Sequence, residues 1–129
     1  MENSLTCTEN ISLVATADLY DLSMLEEMDD NEYLLEILTI FLSEASSDFK
    51  ELKQAMQQGN LETLCKKAHK LKGGTGVIQA ESLAATLADI ENLGKKGVIN
   101  DKLTSLVEKA AYEHKTIEKA LQVYIAGIK

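Results

Sequence analysis

The chain of 129 residues contains no proline, no tryptophan and no arginine, and it has only two cysteines. Proline interrupts helices because it lacks an amide hydrogen, so its absence leaves long helices possible throughout the chain. All 13 basic residues are lysines, which excludes a bidentate guanidinium clamp for a bound phosphate. Cys7 and Cys65 are too few and too far apart for a disulfide framework or a zinc site.

Positive charge is also in short supply. The 13 lysines stand against 21 acidic residues, which gives a net charge of −8 and an isoelectric point near 4.7. Nucleic acid is therefore not expected as a partner, because phosphate backbones select basic surfaces. No apolar run approaches the length of a membrane span, and no basic segment opens the chain, so neither a membrane nor secretion is expected. We expect one domain in the cytoplasm.

Leucine, alanine, glutamate and lysine dominate the composition and favour helices. Apolar residues recur at spacings of three and four in four segments, the pattern of amphipathic helices. A short helix capped by Asp21 or Ser23 is predicted to end near Met28, and a long helix to run from Asn31 to the stop at Gly59. The next helix is capped by Asn60, and the one after it starts at Glu81 or Ser82 and ends near Gly94. A last helix is capped by Asn100 or Asp101 and reaches Tyr124.

These segments predict an all-α fold. Short connections make consecutive helices antiparallel neighbours, so the chain should form an up-down-up-down four-helix bundle with a short extra N-terminal helix across one end. Residues 1–17 lack a helical period. We expect them to be a flexible N-terminal leader or linker, and we expect the bundle domain to occupy residues 18–129.

The segment around His69 is unusual for a helix. Three glycines in four residues (Gly73, Gly74 and Gly76) cost about 1 kcal/mol each relative to alanine, which indicates that a bare surface is kept there for a partner. Residues 66–76 carry four positive charges and no negative one, and such a patch suits an acidic pocket on a partner. Its lysines are Lys66, Lys67, Lys70 and Lys72.

Helix geometry places Glu91 beside His69. Each residue lies eleven positions from Ala80, the centre of the predicted hairpin, so both sit about 16 Å from the turn. Both fall at the edge of their apolar stripes, where a side chain is half packed and half exposed. A Glu91 carboxylate can then accept a hydrogen bond from Nδ1–H of His69 and leave Nε2 free for phosphoryl transfer. Lys72 and Lys95 lie one turn away on their helices and can offset phosphate charge.

The chain contains Ala68-His69-Lys70-Leu71-Lys72-Gly73, then Gly76, a turn ending in Ala80, then Leu83, Leu87 and Ile90-Glu91. This pattern resembles the histidine-containing phosphotransfer (Hpt) domain, and the resemblance extends from about Asp21 to Tyr124. Gln79 stands where the family usually has a glycine.

The resemblance implies that His69 receives a phosphoryl group from a receiver-domain aspartate and donates it to another. It implies that Glu91 orients the ring, that Lys72 neighbours the phosphate and that Gly73 lets the receiver approach. The wider docking surface is predicted to include Lys66, Lys70, Gly73, Gly76 and Lys95.

The implied partners are response-regulator receiver domains and a hybrid sensor histidine kinase. The receiver would supply Mg²⁺, so no cofactor, metal or nucleotide site of the chain's own is expected. The protein would then be a relay intermediate and not an enzyme by itself, and it should act as a monomer. Two alternatives remain at this point: the phosphoacceptor domain of a chemotaxis-type histidine kinase, and a receiver-binding module that carries no phosphate.

Simpler interpretations of the same residues also exist. A single histidine on a helix is often structural, and Glu91 and Lys72 can be ordinary solvated residues. The segment from Lys72 to Gly76 is rich in glycine like a nucleotide-binding loop, but no strand precedes it and Val77-Ile78 follows where Lys-Ser/Thr would be needed. His114 falls inside the apolar stripe of the last helix and is predicted to be a packed core histidine.

Overall fold

The structure of the protein is a computed structural model that describes residues 19–128. The predicted leader, residues 1–17, lies outside the described residues. The described part contains helices and no strand, so the all-α prediction is confirmed. Its elements are α1 (Ser23–Glu26), α2 (Asn31–Gln58), α3 (Leu61–Thr75), α4 (Glu81–Lys95) and α5 (Asp101–Ile128).

Side-chain caps start three of the long helices. The carboxylate of Asp30 accepts a hydrogen bond from the amide of Tyr33 at 3.0 Å and starts α2. Asn60 and Asn100 cap α3 and α5 in the same way, as predicted, through the amides three residues further on. Gly59 ends α2 with φ +71°, a left-handed conformation that glycine adopts without steric cost.

The first helix is shorter than predicted. It ends at Glu26 and not near Met28. Asp21 accepts hydrogen bonds from the amide and hydroxyl of Ser23 at 2.9 and 2.7 Å, immediately before the helix. The N-cap position is Leu22, so the predicted cap at Asp21 or Ser23 was wrong. Asp29 then adopts φ +53°, so the chain turns before a second helical turn is complete.

The four long helices form a closed ring in which α2 packs against α3, α3 against α4, α4 against α5, and α5 against α2. Ridges of leucine from each helix meet at the centre, as the sequence period predicts. The fully buried large side chains are Leu38, Leu52, Leu64, Ile78, Leu83, Leu87, Ile90, Leu103, Ile117 and Leu121.

Helices α3 and α4 approach each other closely because Gly94 has no side chain. A Cβ at position 94 would lie 2.5 Å from Sγ of Cys65 and 3.2 Å from Cδ2 of Leu64. Contacts below about 3 Å force a neighbour to move, so only glycine fits this crossing without rearrangement. The close approach sets the distance between the backbones that carry His69 and Glu91.

The segment before α2 covers one end of the bundle, as predicted for the short first helix. The amide of Asp21 donates to the carbonyl of Ile78 at 2.8 Å, in the connection between α3 and α4. The hydroxyl of Tyr124 donates to Glu26 at 2.6 Å. Burial, together with the Glu26 carboxylate, raises the pKa of Tyr124 to about 12. Within residues 19–128, no helix is both long and apolar enough to cross a bilayer.

Candidate functional site

The predicted pair of residues meets across the seam between α3 and α4. Nδ1 of His69 lies 3.2 Å from Oε2 of Glu91. The two side chains differ in exposure, because the His69 side chain is 70% exposed and that of Glu91 is 9% exposed. The prediction that both would be half exposed was therefore wrong in degree. The carboxylate is covered by the imidazole and by two lysine side chains that fold over it.

The Glu91 carboxylate is the centre of this cluster. Nζ of Lys72 lies 3.4 Å from Oε1, and Nζ of Lys95 lies 3.2 Å from Oε2. Burial by itself would raise the pKa of Glu91, but Lys95, Lys72 and His69 together hold it below its ordinary value. Glu91 is therefore ionised at neutral pH and is available as an acceptor for a proton on Nδ1.

The lysines near His69 do not form an isolated positive surface. Lys70 lies 3.2 Å from one oxygen of Asp48, and Lys67 lies 3.4 Å from the other. Lys67 also pairs with Glu51, while Lys66 lies 4.0 Å from Glu62 on its own helix. Carboxylates from α2 and α4 thus compensate much of the charge that appears uncompensated in residues 66–76.

Asp48 was missed at the sequence level. It is 5% exposed, and its carboxylate is held by two lysines of α3. The available signal was its position, three residues after Ala45 and four before Leu52, which places an acidic residue on the apolar face of α2. A buried carboxylate requires a compensating charge, and the lysines of α3 provide it.

The glycines after His69 differ in their surroundings. A Cβ at position 73 would meet no atom within 4 Å, so the protein's own packing does not require Gly73. A Cβ at Gly74 would lie 3.8 Å from the ring of Phe41, and one at Gly76 would lie 3.5 Å from the Gly73 carbonyl, both ordinary contacts. The surface one turn after His69 is therefore open, while the docking roles of the glycines and lysines stay predictions.

Cys65 and His114 are partly and almost fully buried, respectively. Cys65 packs against Gly94. Burial raises the pKa of its thiol, and the thiol donates to the carbonyl of Glu91 at 3.6 Å. His114 is buried, as predicted, and stacks on Phe49 with ring centroids 4.4 Å apart.

No metal cluster accompanies these residues in the described part of the chain. Among residues 19–128, no group of three or more histidine, cysteine, aspartate or glutamate side chains is gathered closely enough to hold a metal ion. The seam between α3 and α4 thus offers a nucleophile, an ionised acceptor and two ammonium groups.

The family model described as the Hpt domain matches residues 36–123. Comparison with curated proteins gave no match. Among solved structures, the crystal structure of histidine-containing phosphotransfer protein B (HptB) from Pseudomonas aeruginosa PAO1 superposes with a TM-score of 0.76 at 23% sequence identity. That alignment covers 84% of this chain and 95% of the other, so the two share a fold. Since the family model spans more than half of the chain, this protein belongs to the Hpt domain family.

Proposed function

We propose that His69 is the phosphoacceptor through which this Hpt protein relays a phosphoryl group between receiver-domain aspartates. The observation that carries the proposal is the contact of 3.2 Å between Nδ1 of His69 and the Glu91 carboxylate, beneath an imidazole that is largely exposed. A carboxylate on one ring nitrogen fixes the tautomer, so that the other nitrogen keeps its lone pair.

Phosphoryl transfer to His69 exchanges one bond to phosphorus for another. The lone pair on Nε2 of His69 attacks the phosphorus of an aspartyl phosphate on the receiver, and a P–N bond forms as the P–O bond to the aspartate breaks. The aspartate leaves as a carboxylate. The proton on Nδ1 stays in place, and Glu91 stabilises the positive charge that develops on the ring. Donation to a second receiver reverses these bond changes.

Lys72 and Lys95 support the same proposal. Both ammonium groups are held near the imidazole through Glu91. When a phosphoryl group with its negative charge arrives on His69, each lysine can turn from the carboxylate toward the phosphoryl oxygens. Lysine suits this movement because it is a single charge on a flexible stem. The open surface at Gly73 gives the receiver room to approach.

We further propose that the chain has no nucleotide site of its own and that the receiver brings Mg²⁺ and most of the transition-state stabilisation. This domain would contribute a positioned nucleophile and a docking surface. We propose that the domain spans residues 18–129 and acts as a monomer. The burial of Leu19 and Leu22 supports the N-terminal boundary. The location in the cytoplasm stays a prediction from the sequence.

A transfer assay tests the role of His69. The protein is mixed with a receiver labelled at its aspartyl phosphate, in the presence of Mg²⁺. We expect label that is stable in base and labile in acid on the wild type and on His114→Phe, and no label on His69→Gln. The chain has two histidines, so His114→Phe is the matched control.

The remaining outcomes separate the alternatives. Label on the His69→Gln protein would overturn the proposal. Binding of receivers without any label on the wild type would identify a binding module that carries no phosphate. Labelling by a kinase core with ATP, but never by receivers, would identify the phosphoacceptor domain of a chemotaxis-type kinase.

A further inference from the structure

A second polar site lies on the seam between α2 and α5, across the bundle from the seam that holds His69. A cleft of about 340 Å³ opens there, within the size range of sites for small molecules. The stacked rings of Phe49 and His114 form part of its wall. Polar side chains line the rest, among them Ser46, Gln54 and Gln57.

The charge of this cleft is opposite to that of the molecule. Lys50, Lys53 and Lys115 line it together with a single acid, Glu118, on a chain whose net charge is −8. The Glu118 carboxylate accepts a hydrogen bond from the hydroxyl of Ser46 at 2.7 Å and keeps its charge, so the three lysines outnumber it. Within the described residues, no carboxylate lies within 4.0 Å of the three ammonium groups. Three lysines without a direct ion pair, against one carboxylate, favour an anion in this cleft.

His114 is an independent sign of a ligand. The residue is 6% exposed, and neither ring nitrogen has a hydrogen-bond partner in the described part of the chain. Buried polar groups almost always form hydrogen bonds, so a buried imidazole in which both nitrogens lack a hydrogen-bond partner is unusual. A turn of the ring toward the cleft would place one nitrogen against whatever occupies it.

We propose that the cleft between α2 and α5 binds a small molecule carrying phosphate or carboxylate groups, which Lys50, Lys53 and Lys115 hold against the ring of His114. The size of the cleft selects a small molecule over a protein segment. The stacked aromatic wall accommodates an apolar part of the ligand, and the glutamines and Ser46 offer further hydrogen bonds. This proposal is independent of the role of His69.

Binding should be coupled to protonation of His114. The charged groups that line the cleft together with the ring are Lys50 and Lys53 from α2, and Lys115 and Glu118 from α5. Burial lowers the pKa of His114, Lys115 lowers it further, and Glu118 opposes them. A bound anion would add negative charge beside the ring and accept a hydrogen bond from its protonated form. Affinity should therefore rise as the pH falls, by at most about tenfold per pH unit for one coupled proton.

Imidazole NMR signals provide the test, because the two histidines lie on opposite seams. The probes are inorganic pyrophosphate and citrate, which separate phosphate from carboxylate ligands. We expect saturable shifts of the His114 signals, with the His69 signals unmoved. Lys50→Gln and Lys53→Gln should each weaken binding about three- to tenfold. Lys109→Gln, an exposed change on α5 outside the cleft, should have no effect.

Two results would overturn the proposal. One is the absence of any shift of His114 with either probe at millimolar concentration. The other is binding that Lys50→Gln and Lys53→Gln leave as tight as in the wild type, provided that the amide spectrum shows the variants folded. Binding of one probe alone would support the site and identify the charged group that it accepts.

Discussion

Glu91 can act on His69 in two ways, because it is both a hydrogen-bond acceptor and a negative charge. As an acceptor it holds the ring by Nδ1, and as a charge it keeps Lys72 and Lys95 close to the ring. A glutamine at position 91 would retain the acceptor and lose the charge, whereas an alanine would lose both. The two substitutions therefore separate orientation from charge.

We expect Glu91→Ala to slow phosphoryl transfer by about tenfold or more, a magnitude taken from groups that orient metal-bound histidines. Glu91→Gln should retain most of the rate, since the amide oxygen still accepts from Nδ1–H. The measurements are single-turnover transfer from a phosphorylated receiver and the ¹⁵N shifts of His69, which report the tautomer. Equal losses in both variants would assign the effect to charge and contradict orientation.

A substitution at Gly73 should affect the stability of the domain and the docking of a receiver in opposite directions. No atom lies within 4 Å of a Cβ at this position, so Gly73→Ala should stabilise the free domain by up to about 1 kcal/mol through helix propensity. The added methyl group would stand on the docking surface, and we expect slower transfer from a receiver. Urea unfolding and the transfer assay measure the two effects.

The matched control is Gly127→Ala, because Gly127 also lies in a helix with nothing within 4 Å of its Cβ. It should gain stability, although less because it is near the end of α5, and transfer should be unchanged. Unimpaired transfer in Gly73→Ala would remove Gly73 from the docking surface.

For single residues, the sequence predicts which side chains are neighbours better than it predicts how exposed each side chain is. The pairing of His69 with Glu91 follows from the rise of a helix and the place of the turn, and both can be read from the chain. The exposure of each side chain depends on how Lys72 and Lys95 fold over the carboxylate. The Asp48 contacts join α2 to α3 through long lysine side chains, which no short-range pattern records.

The connection between α3 and α4 contains a strained residue. Gln79 adopts φ +50°, a left-handed conformation that costs a residue with a Cβ about 1–2 kcal/mol. The same position departs from the family pattern, which usually has glycine there. The backbone thus keeps the conformation that glycine favours, and the sequence places glutamine in it.

We expect Gln79→Gly to stabilise the domain by about 1 kcal/mol, because relief of the strain outweighs the extra freedom of the unfolded chain. The same change at an exposed helical position, Gln122→Gly in α5, should destabilise it by a few tenths of a kcal/mol or more. Thermal unfolding of both variants provides the measurement. A loss of stability in Gln79→Gly would show that glutamine makes a compensating contact.

Helix boundaries were predictable where one residue determines them. Gly59, Asn60 and Asn100 act through local hydrogen bonds or a local backbone conformation, and the structure has them where they were predicted. The end of α1 was wrong because it depends on a turn at Asp29 and on packing against the rest of the bundle. The close helix approach at Gly94 could not be predicted either, because it depends on the Cys65 side chain across the seam, which is distant in the sequence.

Across the whole molecule, the two histidines occupy opposite seams and opposite environments. One imidazole is exposed beside an ionised carboxylate, and the other is buried beside an aromatic ring. Burial lowers the pKa of His114. The folded protein therefore binds a proton at this residue less readily than the unfolded chain does, and the free energy of unfolding must depend on pH.

Stability should fall in two steps as the pH decreases. Below the ordinary histidine pKa of about 6.5, His114 in the unfolded chain takes up a proton that the folded protein resists, so the free energy of unfolding decreases. Below the ordinary glutamate pKa of about 4.5, Glu91 adds a second decrease, because the cluster of lysines also lowers its pKa in the folded state. Above about pH 7 neither group contributes a slope.

His114→Phe isolates the first step. The substitution keeps a ring against Phe49 and removes two buried nitrogens that have no partner in the described residues. We expect urea unfolding of this variant to show little pH dependence between about pH 7.5 and pH 5, where the wild type loses stability, and to retain the step at lower pH. The His69→Gln protein, which keeps His114, should retain both steps. A wild type whose stability is flat from pH 7.5 to 5 would mean that His114 is protonated as easily in the folded bundle as in the unfolded chain.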